Sequence, residues 1–203
     1  IVKAFDVSLI LYAEHSFNVS TFTARTITSS LSDIHGAITG AIASLKGPLH
    51  GGANEEVMHM MNKIKTPEKA LKWINNALDK KEVVMGFGHR VYKKGDSRVP
   101  TMEKYFRKVS NAKHDKKFVK IYDIVKNVMI EKKNIHPNVD YPTGPTYHLM
   151  GFDTDFFTPI FVISRITGWS AHIMEQHAAN KLIRPLSKYT GSDHRKVLLL
   201  NQR

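Results

Sequence analysis

The chain has 203 residues and no cysteine, which excludes thiol nucleophiles, disulfides and thiolate metal sites. Long apolar runs are also missing: the segment 156–163 contains Pro159, is followed by Arg165, and falls far short of the roughly 20 apolar residues that span a bilayer. Neither a His-Glu-x-x-His zinc motif nor a Gly-x-Ser-x-Gly nucleophile elbow occurs. We therefore expect no membrane-spanning segment, no metal centre and no covalent serine catalysis.

Acidic residues are also scarce: the chain has 18 Asp and Glu but 30 Lys and Arg, which gives a net charge of +12. A positive balance of this size attracts polyanions, either nucleic acid or a phosphorylated cofactor. The lysines of segments 63–81, 104–120 and 126–133, however, occur singly among apolar positions and not in one tract. This spacing is typical of solvated helix faces, so we interpret most of the charge as ordinary surface.

Alternating strand patterns of convincing length are absent too, and helical spacing dominates instead. Between residues 118 and 129 apolar side chains recur every three or four positions, which predicts one buried helical stripe. Thr66 followed by Pro67 predicts a helix with Thr66 as its N-cap, ending near Lys80. The sequence therefore predicts an all-α protein.

The arrangement of these helices is predicted from composition. Residues 21–45 combine Gly, Ala and Ser with interspersed Ile and Leu, which favours one long helix packed closely against others. Residues 155–176 predict a second buried helix, and the stretch between the two is more basic and more amphipathic. We predict two helical lobes, a larger one formed by residues 1–51 and 154–203 and a smaller one formed by residues 52–153.

Four short segments concentrate His, Arg and Asp beside glycine or proline. They are Glu14–Asn18, Gly47–Glu55, Gly86–Arg90 and Asn138–Pro142. His50 has two interpretations, a neutral hydrogen-bond donor or a helix-terminal side chain near the last carbonyls, and His15 shares the ambiguity with a buried core histidine. Asp140 is predicted to lie in a rigid turn, either as a catalytic carboxylate or as a cap of the next helix.

The Gly-Phe-Gly of residues 86–88 begins like a dinucleotide-binding fingerprint, but Val91 stands where a third small residue is required. The glycines still offer N–H groups to a phosphate or adenine, and Lys93, Lys94 and Arg98 follow. An anion-binding loop and a plain basic turn are both open at this point.

Taken in order, these segments and their neighbours resemble the citrate synthase family. The matching stretches are EHSFNVSTFTAR (14–25), GPLHGGANEEV (47–57), GFGHRVYKKGDSR (86–98), HPNVDYPTG (136–144), SRITGWSAHIMEQ (164–176) and LIRPLSKYTG (182–191). The resemblance covers the carboxyl-terminal half or so of a family chain and implies its two-lobed all-α fold. Because the sequence starts at Ile1, just ahead of an apolar helical pattern, we expect it to be incomplete at the amino terminus.

By this resemblance, the catalytic residues are His50, His89 and Asp140. Asp140 is expected to remove a proton from the carbon next to the thioester carbonyl, while neutral His50 donates a hydrogen bond to the enolate oxygen. His89 is expected to polarise the ketone of oxaloacetate and to protonate the new alkoxide, after which the condensed CoA thioester is hydrolysed. A carboxylate alone is a weak base toward such a carbon, so the oxyanion must be stabilised where it forms.

The resemblance also implies substrate ligands. The residues matching the family's oxaloacetate ligands are His15, His89, Arg98, Arg165 and Arg184, and those matching the stretch that receives the CoA adenine are Val83, Val84, Met85, Gly86 and Phe87. The family arginine matching Arg184 reaches in from the other subunit, which implies a homodimer. No metal and no permanently bound cofactor are expected, since acyl-CoA is a co-substrate. Closure of the smaller lobe, with hinges at Gly51-Gly52 and Gly151, would exclude water.

The identity of the acyl group is left open. Citrate synthases use acetyl-CoA and the similar 2-methylcitrate synthases use propionyl-CoA, and one methylene is worth only about 1–3 kcal/mol of discrimination in an apolar pocket. The residues after Asp140 depart from the aromatic-Ser pattern common in both groups. We take citrate synthase as the first interpretation and 2-methylcitrate synthase as the alternative.

Two further hypotheses compete with the enzyme. The net charge of +12 motivates a basic helical nucleic-acid-binding protein, and the abrupt start motivates an inactive piece that still dimerises. The enzyme hypothesis predicts no nucleic-acid and no membrane partner, and a location in a prokaryotic cytoplasm or in the mitochondrial matrix.

Overall fold

The computed structural model describes residues 1–92, 94–193 and 195–203, so Lys93, expected near a phosphate, lies outside the described residues. The all-α prediction is confirmed. The α-helices are α1 (Val2–Tyr12), α2 (Val19–Ser29), α3 (Ile34–Leu45), α4 (Ala53–Ile64), α5 (Pro67–Asp79), α6 (Val99–Ala112), α7 (Lys117–Lys133), α8 (Asp140–Met150) and α9 (Phe157–Ala178). Short 3₁₀ turns cover Thr154–Phe156 and Leu200–Gln202. Over the described ranges no helix is both long and apolar enough to cross a bilayer.

The helices fall into two packed groups. The first consists of α1, α2, α3 and α9, in which α9 contacts each of the others and α2 packs on α3. The second runs from α4 to α8, with α5 on α7 and with α8 on both α4 and α6. The groups meet where α1 contacts α6 and where α9 contacts α4. The chain thus passes from one group to the other after α3 and returns after α8; the predicted boundaries of the lobes stay a prediction.

Buried aromatic side chains of α8 and α9 lie in the middle of the core. They are Tyr141, Tyr147, Phe157, Phe161 and Trp169. The helix predicted from Thr66 and Pro67 is confirmed as α5, although the Thr66 side chain makes no capping hydrogen bond. The stripe predicted over 118–129 is confirmed as the buried face of α7.

The prediction of one long helix over residues 21–45 is wrong, because a turn over residues 30–33 separates α2 from α3. Asp33 ends this turn as the N-cap of α3, with its carboxylate accepting a hydrogen bond from the Gly36 N–H at 2.8 Å. Short polar side chains favour such caps over helix interiors, and this preference outweighs the apolar spacing here. The small residues of both helices let them pack directly on each other.

Gly168 fixes how closely the end of α1 approaches α9. A Cβ at Gly168 would overlap the carbonyl oxygen of Ala13, which lies two residues before His15. We expect Gly168→Ala to lower the free energy of unfolding by about 1–3 kcal/mol, despite the better helix propensity of Ala, because the backbone must move apart. Thermal unfolding followed by circular dichroism measures this change.

Gly47→Ala is the matched control for that substitution. A Cβ at Gly47 would meet only the Ser44 carbonyl oxygen, at an ordinary contact distance of 3.6 Å. Equal losses of stability in the two variants would contradict the importance of the contact at Gly168.

Candidate active site

A cavity of about 860 Å³ is lined by residues from both groups of helices. The first group of helices and the loop after α3 contribute residues 14–19, residues 48–50, Phe161 and Arg165. Residues 83–92 form much of the remaining wall. Of the residues predicted from the sequence, those on the cavity wall are His15, His50, His89, Arg98, Arg165, Val83, Val84, Met85, Gly86 and Phe87. Asp140 and Arg184 are not on the wall.

The segments before His89 and before Asp140 are joined to each other by the backbone. Gly88 N–H donates to the His136 carbonyl at 2.9 Å, and Asn138 N–H donates to the Gly86 carbonyl at 2.9 Å. Gly86 and Gly88 have φ values of 82° and 79°, which other residues rarely adopt. The two glycines therefore bring two predicted catalytic segments together. Because the Gly88 N–H is engaged in this pairing, it is not available to a phosphate, contrary to that part of the sequence prediction.

His50 is held by α2. Its Nε2 lies 3.3 Å from the Ser20 backbone nitrogen and 2.7 Å from Ser20 Oγ, which in turn accepts from Trp169 Nε1 at 3.2 Å. A backbone N–H can only donate, so Nε2 is an acceptor and the proton of the neutral ring is on Nδ1. Burial, aided by the positive charge of Arg165 and by His15, lowers the pKa of His50 to about 4. At neutral pH His50 is thus an uncharged imidazole with one N–H donor, which favours the first of its two interpretations.

His89 and His15 contact each other directly on the cavity wall. His89 Nδ1 accepts from the backbone N–H groups of Val91 at 3.1 Å and Tyr92 at 3.2 Å, which places the His89 proton on Nε2. That N–H donates to His15 Nε2 at 3.0 Å. Burial lowers the pKa of His89, and burial together with the charge of Arg98 lowers the pKa of His15 to about 4. His89 is therefore a second neutral donor.

Asp140 is the first residue of α8, so the prediction of a rigid turn is wrong. Pro142 does not prevent the helix, because proline is tolerated in the first turn, where its missing N–H would have no intrahelical partner. A carboxylate at this end of a helix also interacts favourably with the helix dipole. The Asp140 N–H donates to Asn138 Oδ1 at 3.1 Å, which connects the start of α8 to the segment paired with Gly86.

Asn138 and Val139, the two residues before Asp140, line the cavity, whereas the partly buried Asp140 is not among the lining residues. Its Oδ1 accepts a hydrogen bond of 2.5 Å from the hydroxyl of Tyr12, at the end of α1. Burial raises the pKa of Asp140 to about 6, against the opposing effects of the Tyr12 hydrogen bond and the charge of Arg98. A carboxylate with this pKa is ionised at neutral pH and is more basic than an exposed one.

Arg98 is oriented by Asp96, a buried carboxylate. Asp96 accepts from Arg98 Nε at 3.0 Å and from Nη2 at 2.8 Å, and its Oδ2 also accepts from the Val139 N–H at 3.0 Å. Burial would raise the pKa of Asp96, but these bonds to Arg98 lower it overall. One carboxylate thus fixes both an arginine on the cavity wall and the residue before Asp140.

Arg165 reaches the cavity from α9 with only 1% of its surface exposed. Its Nε donates to the Tyr12 carbonyl at 2.6 Å and its guanidinium lies 4.7 Å from the centre of the Phe161 ring. Its buried Nη1 has no partner among the described residues, which leaves a costly unsatisfied donor beside the cavity. Arg184, in contrast, lies in the exposed segment after α9 and is not near this group within one chain.

Three positioning residues were not predicted from the sequence: Tyr12, Ser20 and Asp96. Tyr12 belongs to an apolar helical pattern and Ser20 to a run of small polar residues, so neither has a local signal of its role. Asp96 stands inside the stretch GDSR, two residues before Arg98, and this spacing is the one signal that predicts an ion pair.

Comparison with known proteins agrees with the resemblance seen in the sequence. A family model described as the C-terminal domain of citrate synthase matches residues 1–186. The 2-methylcitrate synthase 2 of Corynebacterium glutamicum is 62% identical over 203 residues, covering 100% of this chain and 53% of its own length. The citrate synthase of Mycolicibacterium smegmatis is 56% identical over 198 residues, covering 98% of this chain and 53% of its own length.

The fold comparison gives the same result. A crystal structure of the citrate synthase of Thermoplasma acidophilum superposes with a TM-score of 0.91 at 38% identity, over 100% of this chain and 55% of that one. The chain therefore spans about half the length of the curated relatives it matches. The family match over residues 1–186, the 62% identical relative and the shared fold together show that this chain belongs to the citrate synthase family.

Proposed function

We propose that this chain carries the catalytic side chains of an acyltransferase that condenses an acyl-CoA with oxaloacetate and then hydrolyses the product thioester. The observation that carries the proposal is the pair of neutral imidazole donors with defined tautomers, His50 and His89, on one cavity whose wall adjoins the carboxylate of Asp140. These are the groups that enolate formation and carbonyl polarisation require.

The first step is proton removal from the carbon beside the thioester carbonyl. Asp140 takes this proton, and the electron pair left on the carbon delocalises onto the thioester oxygen. His50 Nδ1–H then donates to that oxygen, so negative charge develops where a fixed donor already points. Because His50 is neutral, it stabilises the enolate by a hydrogen bond without needing to transfer its proton.

The second step joins the enolate carbon to the ketone carbon of oxaloacetate. His89 donates from Nε2 to the ketone oxygen and supplies the proton to the alkoxide that forms. The two carboxylates of oxaloacetate interact with Arg98 and Arg165, whose planar guanidinium groups suit bidentate binding, and with His15. Water then cleaves the thioester, which yields a free carboxylate and the CoA thiol.

The CoA adenine is proposed to bind the segment 83–87 at the cavity rim, where Val83 is 75% exposed and Leu49 is 89% exposed. Exposed apolar side chains at a cavity mouth suit a planar aromatic ring. The Thermoplasma acidophilum relative was solved as a ternary complex with carboxymethyl coenzyme A and oxaloacetate, which supports both proposed substrates.

A homodimer is part of the proposal. Arg184 lies in the exposed segment after α9 and does not line the cavity of its own chain, and an exposed arginine is free to complete the oxaloacetate site of a second copy. The two curated relatives compared above are bacterial, and we propose a cytoplasmic enzyme. The relatives give no support to the nucleic-acid-binding hypothesis.

The proposal covers two acyl groups. Acetyl-CoA, our first interpretation, would make the enzyme a citrate synthase, like the relative from Mycolicibacterium smegmatis. One observation favours propionyl-CoA as the second candidate: the 62% identical relative is a 2-methylcitrate synthase.

The test is release of CoA from acetyl-CoA and from propionyl-CoA in the presence of oxaloacetate. We expect release with at least one of them, and the ratio of the two kcat/KM values assigns the acyl group. The assay is run on this chain alone and on this chain fused behind the amino-terminal half of the Mycolicibacterium smegmatis enzyme, because the chain spans about half of that relative. No release from either acyl-CoA by either protein would overturn the proposed function.

A further inference from the structure

Tyr12 is a fully buried residue at the end of α1 and is not part of the cavity wall. Its hydroxyl nevertheless donates to Oδ1 of Asp140, which belongs to the other group of helices. In the part of the chain that the structure describes, Oδ2 of Asp140 has no hydrogen-bond partner. The carboxylate therefore has one oxygen held by Tyr12 and one oxygen that remains available.

The position of the Tyr12 side chain is itself tightly determined. Its ring packs on Phe161 with the ring centres 3.9 Å apart. Its carbonyl oxygen accepts from Arg165 Nε at 2.6 Å, so the residue that faces the cavity as an anion ligand also holds the backbone of Tyr12. A hydroxyl placed in this way has little freedom to follow a moving carboxylate, and it defines one orientation of Asp140.

We propose that Tyr12 is a positioning residue for the catalytic base: its hydroxyl binds Asp140 Oδ1 from the opposite group of helices and leaves Oδ2 as the oxygen that accepts the substrate proton. This inference rests on the proposed function and adds to it a residue that touches no substrate. It also means that the base is correctly oriented only while the two groups of helices are in contact at this point.

The hydrogen bond has an electrostatic consequence as well. The groups that act on the Asp140 charge are Tyr12 from α1, Asp96 and Arg98 from the segment just before α6, Arg165 from α9 and Tyr147 from its own helix. Burial raises the pKa of Asp140, whereas the Tyr12 hydrogen bond lowers it. Removing the hydroxyl must therefore raise the pKa further and move the acid side of the pH profile to higher pH.

The decisive variant is Tyr12→Phe, which keeps the ring against Phe161 and removes only the hydroxyl. A hydrogen bond to a charged group corresponds to about one to two pH units of pKa, so we expect the acid limb of log kcat/KM for CoA release to move up by about that amount. The loss at pH 6 should be about 5- to 50-fold, because a pKa of about 6 leaves about half of Asp140 ionised at that pH in the parent protein. It should appear in kcat, with the KM for oxaloacetate little changed, because Tyr12 lines no part of the cavity.

Tyr147→Phe is the matched control. Tyr147 is also fully buried, and its hydroxyl is 2.9 Å from Ser8 Oγ and makes no hydrogen bond to Asp140. If the Tyr12 hydroxyl only satisfied a buried polar group, both variants would lose some stability and neither would shift the pH profile. An acid limb that stays in place in Tyr12→Phe would therefore overturn the proposal.

A measurement that needs no turnover separates this inference from the proposed function. The Asp140 carboxyl is titrated by ¹³C NMR in protein labelled at aspartate, with the Asp140→Asn spectrum as the assignment. We expect the apparent pKa to be higher in Tyr12→Phe than in the parent protein, and an unchanged value would reject the role of Tyr12. If the parent protein releases no CoA from either acyl-CoA, the proposed function fails, and the NMR titration still decides whether Tyr12 controls the carboxylate.

Discussion

Replacing Asp140 with asparagine is expected to lower the rate of CoA release by about 10²- to 10⁴-fold, the range typical of losing a general base. Asparagine has nearly the same shape and can still accept from the Tyr12 hydroxyl, but it cannot take a proton from carbon. The fold should be retained, since Asp140 is the first residue of α8 and its backbone contacts are unchanged. Steady-state kinetics with oxaloacetate and each acyl-CoA measure the effect.

Asp155→Asn is the control for this charge removal, because Asp155 is exposed in the 3₁₀ turn before α9. We expect its turnover to stay within about twofold of the parent value, as is usual for a surface substitution. Turnover of Asp140→Asn close to that of Asp155→Asn would rule out Asp140 as the base. The same kinetics should show parent activity falling below about pH 6, where the Asp140 carboxylate becomes protonated.

Replacing His50 with alanine is the second large expected effect, a loss of about 10²- to 10³-fold in kcat, which is the usual consequence of removing one oxyanion donor. The structure explains why no other group compensates: Ser20 points at the far nitrogen of the ring and cannot reach the position that Nδ1 occupies. A pH profile adds a specific check. Since the pKa of His50 is lowered to about 4, the activity of the parent protein between pH 6 and 8 should show no titration from this residue.

His50→Asn tests whether the donor matters and not merely the bulk of the ring. The amide nitrogen of asparagine can occupy nearly the same place as Nδ1 of histidine, so this variant should lose less activity than His50→Ala. Thermal unfolding of both variants shows whether the loss of the bond to Ser20 affects stability. Equal activity in His50→Ala and the parent protein would remove the proposed role of His50 in stabilising the enolate.

The fold was predictable from the sequence where periodicity was undisturbed. α5 and α7 follow from a proline at a helix start and from a regular apolar stripe. The break between α2 and α3 was missed because the apolar residues keep helical spacing across the turn. The capping Asp therefore could not be distinguished from a residue inside a helix. The start of α8 was missed because Pro142 indicates a turn unless the helix begins only two residues earlier.

For the site, the sequence predicted the residues involved but not the protonation of their side chains. His50, His89 and Asp140 were chosen from motifs, and the structure places both histidines on one cavity that the two residues before Asp140 also line. Their catalytic roles stay proposals. What the sequence could not provide is the protonation of each ring. For His50 it depends on the backbone N–H of Ser20, 30 residues away in the chain. For His89 it depends on how the next residues, Val91 and Tyr92, fold back onto the ring. Neither geometry leaves a pattern in the sequence.

The hydrogen bond from His89 to His15 has a consequence for ligand choice. Before any ligand enters, the His89 donor already has an acceptor of good quality, an uncharged ring nitrogen at 3.0 Å. A simple uncharged ketone is no better an acceptor than the His15 nitrogen. Replacing the hydrogen bond to His15 by one to such a ketone therefore contributes almost no binding free energy. A doubly anionic keto acid differs, because its charges also engage the guanidinium groups beside the pair. In the proposed enzyme, we therefore expect the resting contact between the two imidazoles to disfavour the binding of neutral carbonyl compounds.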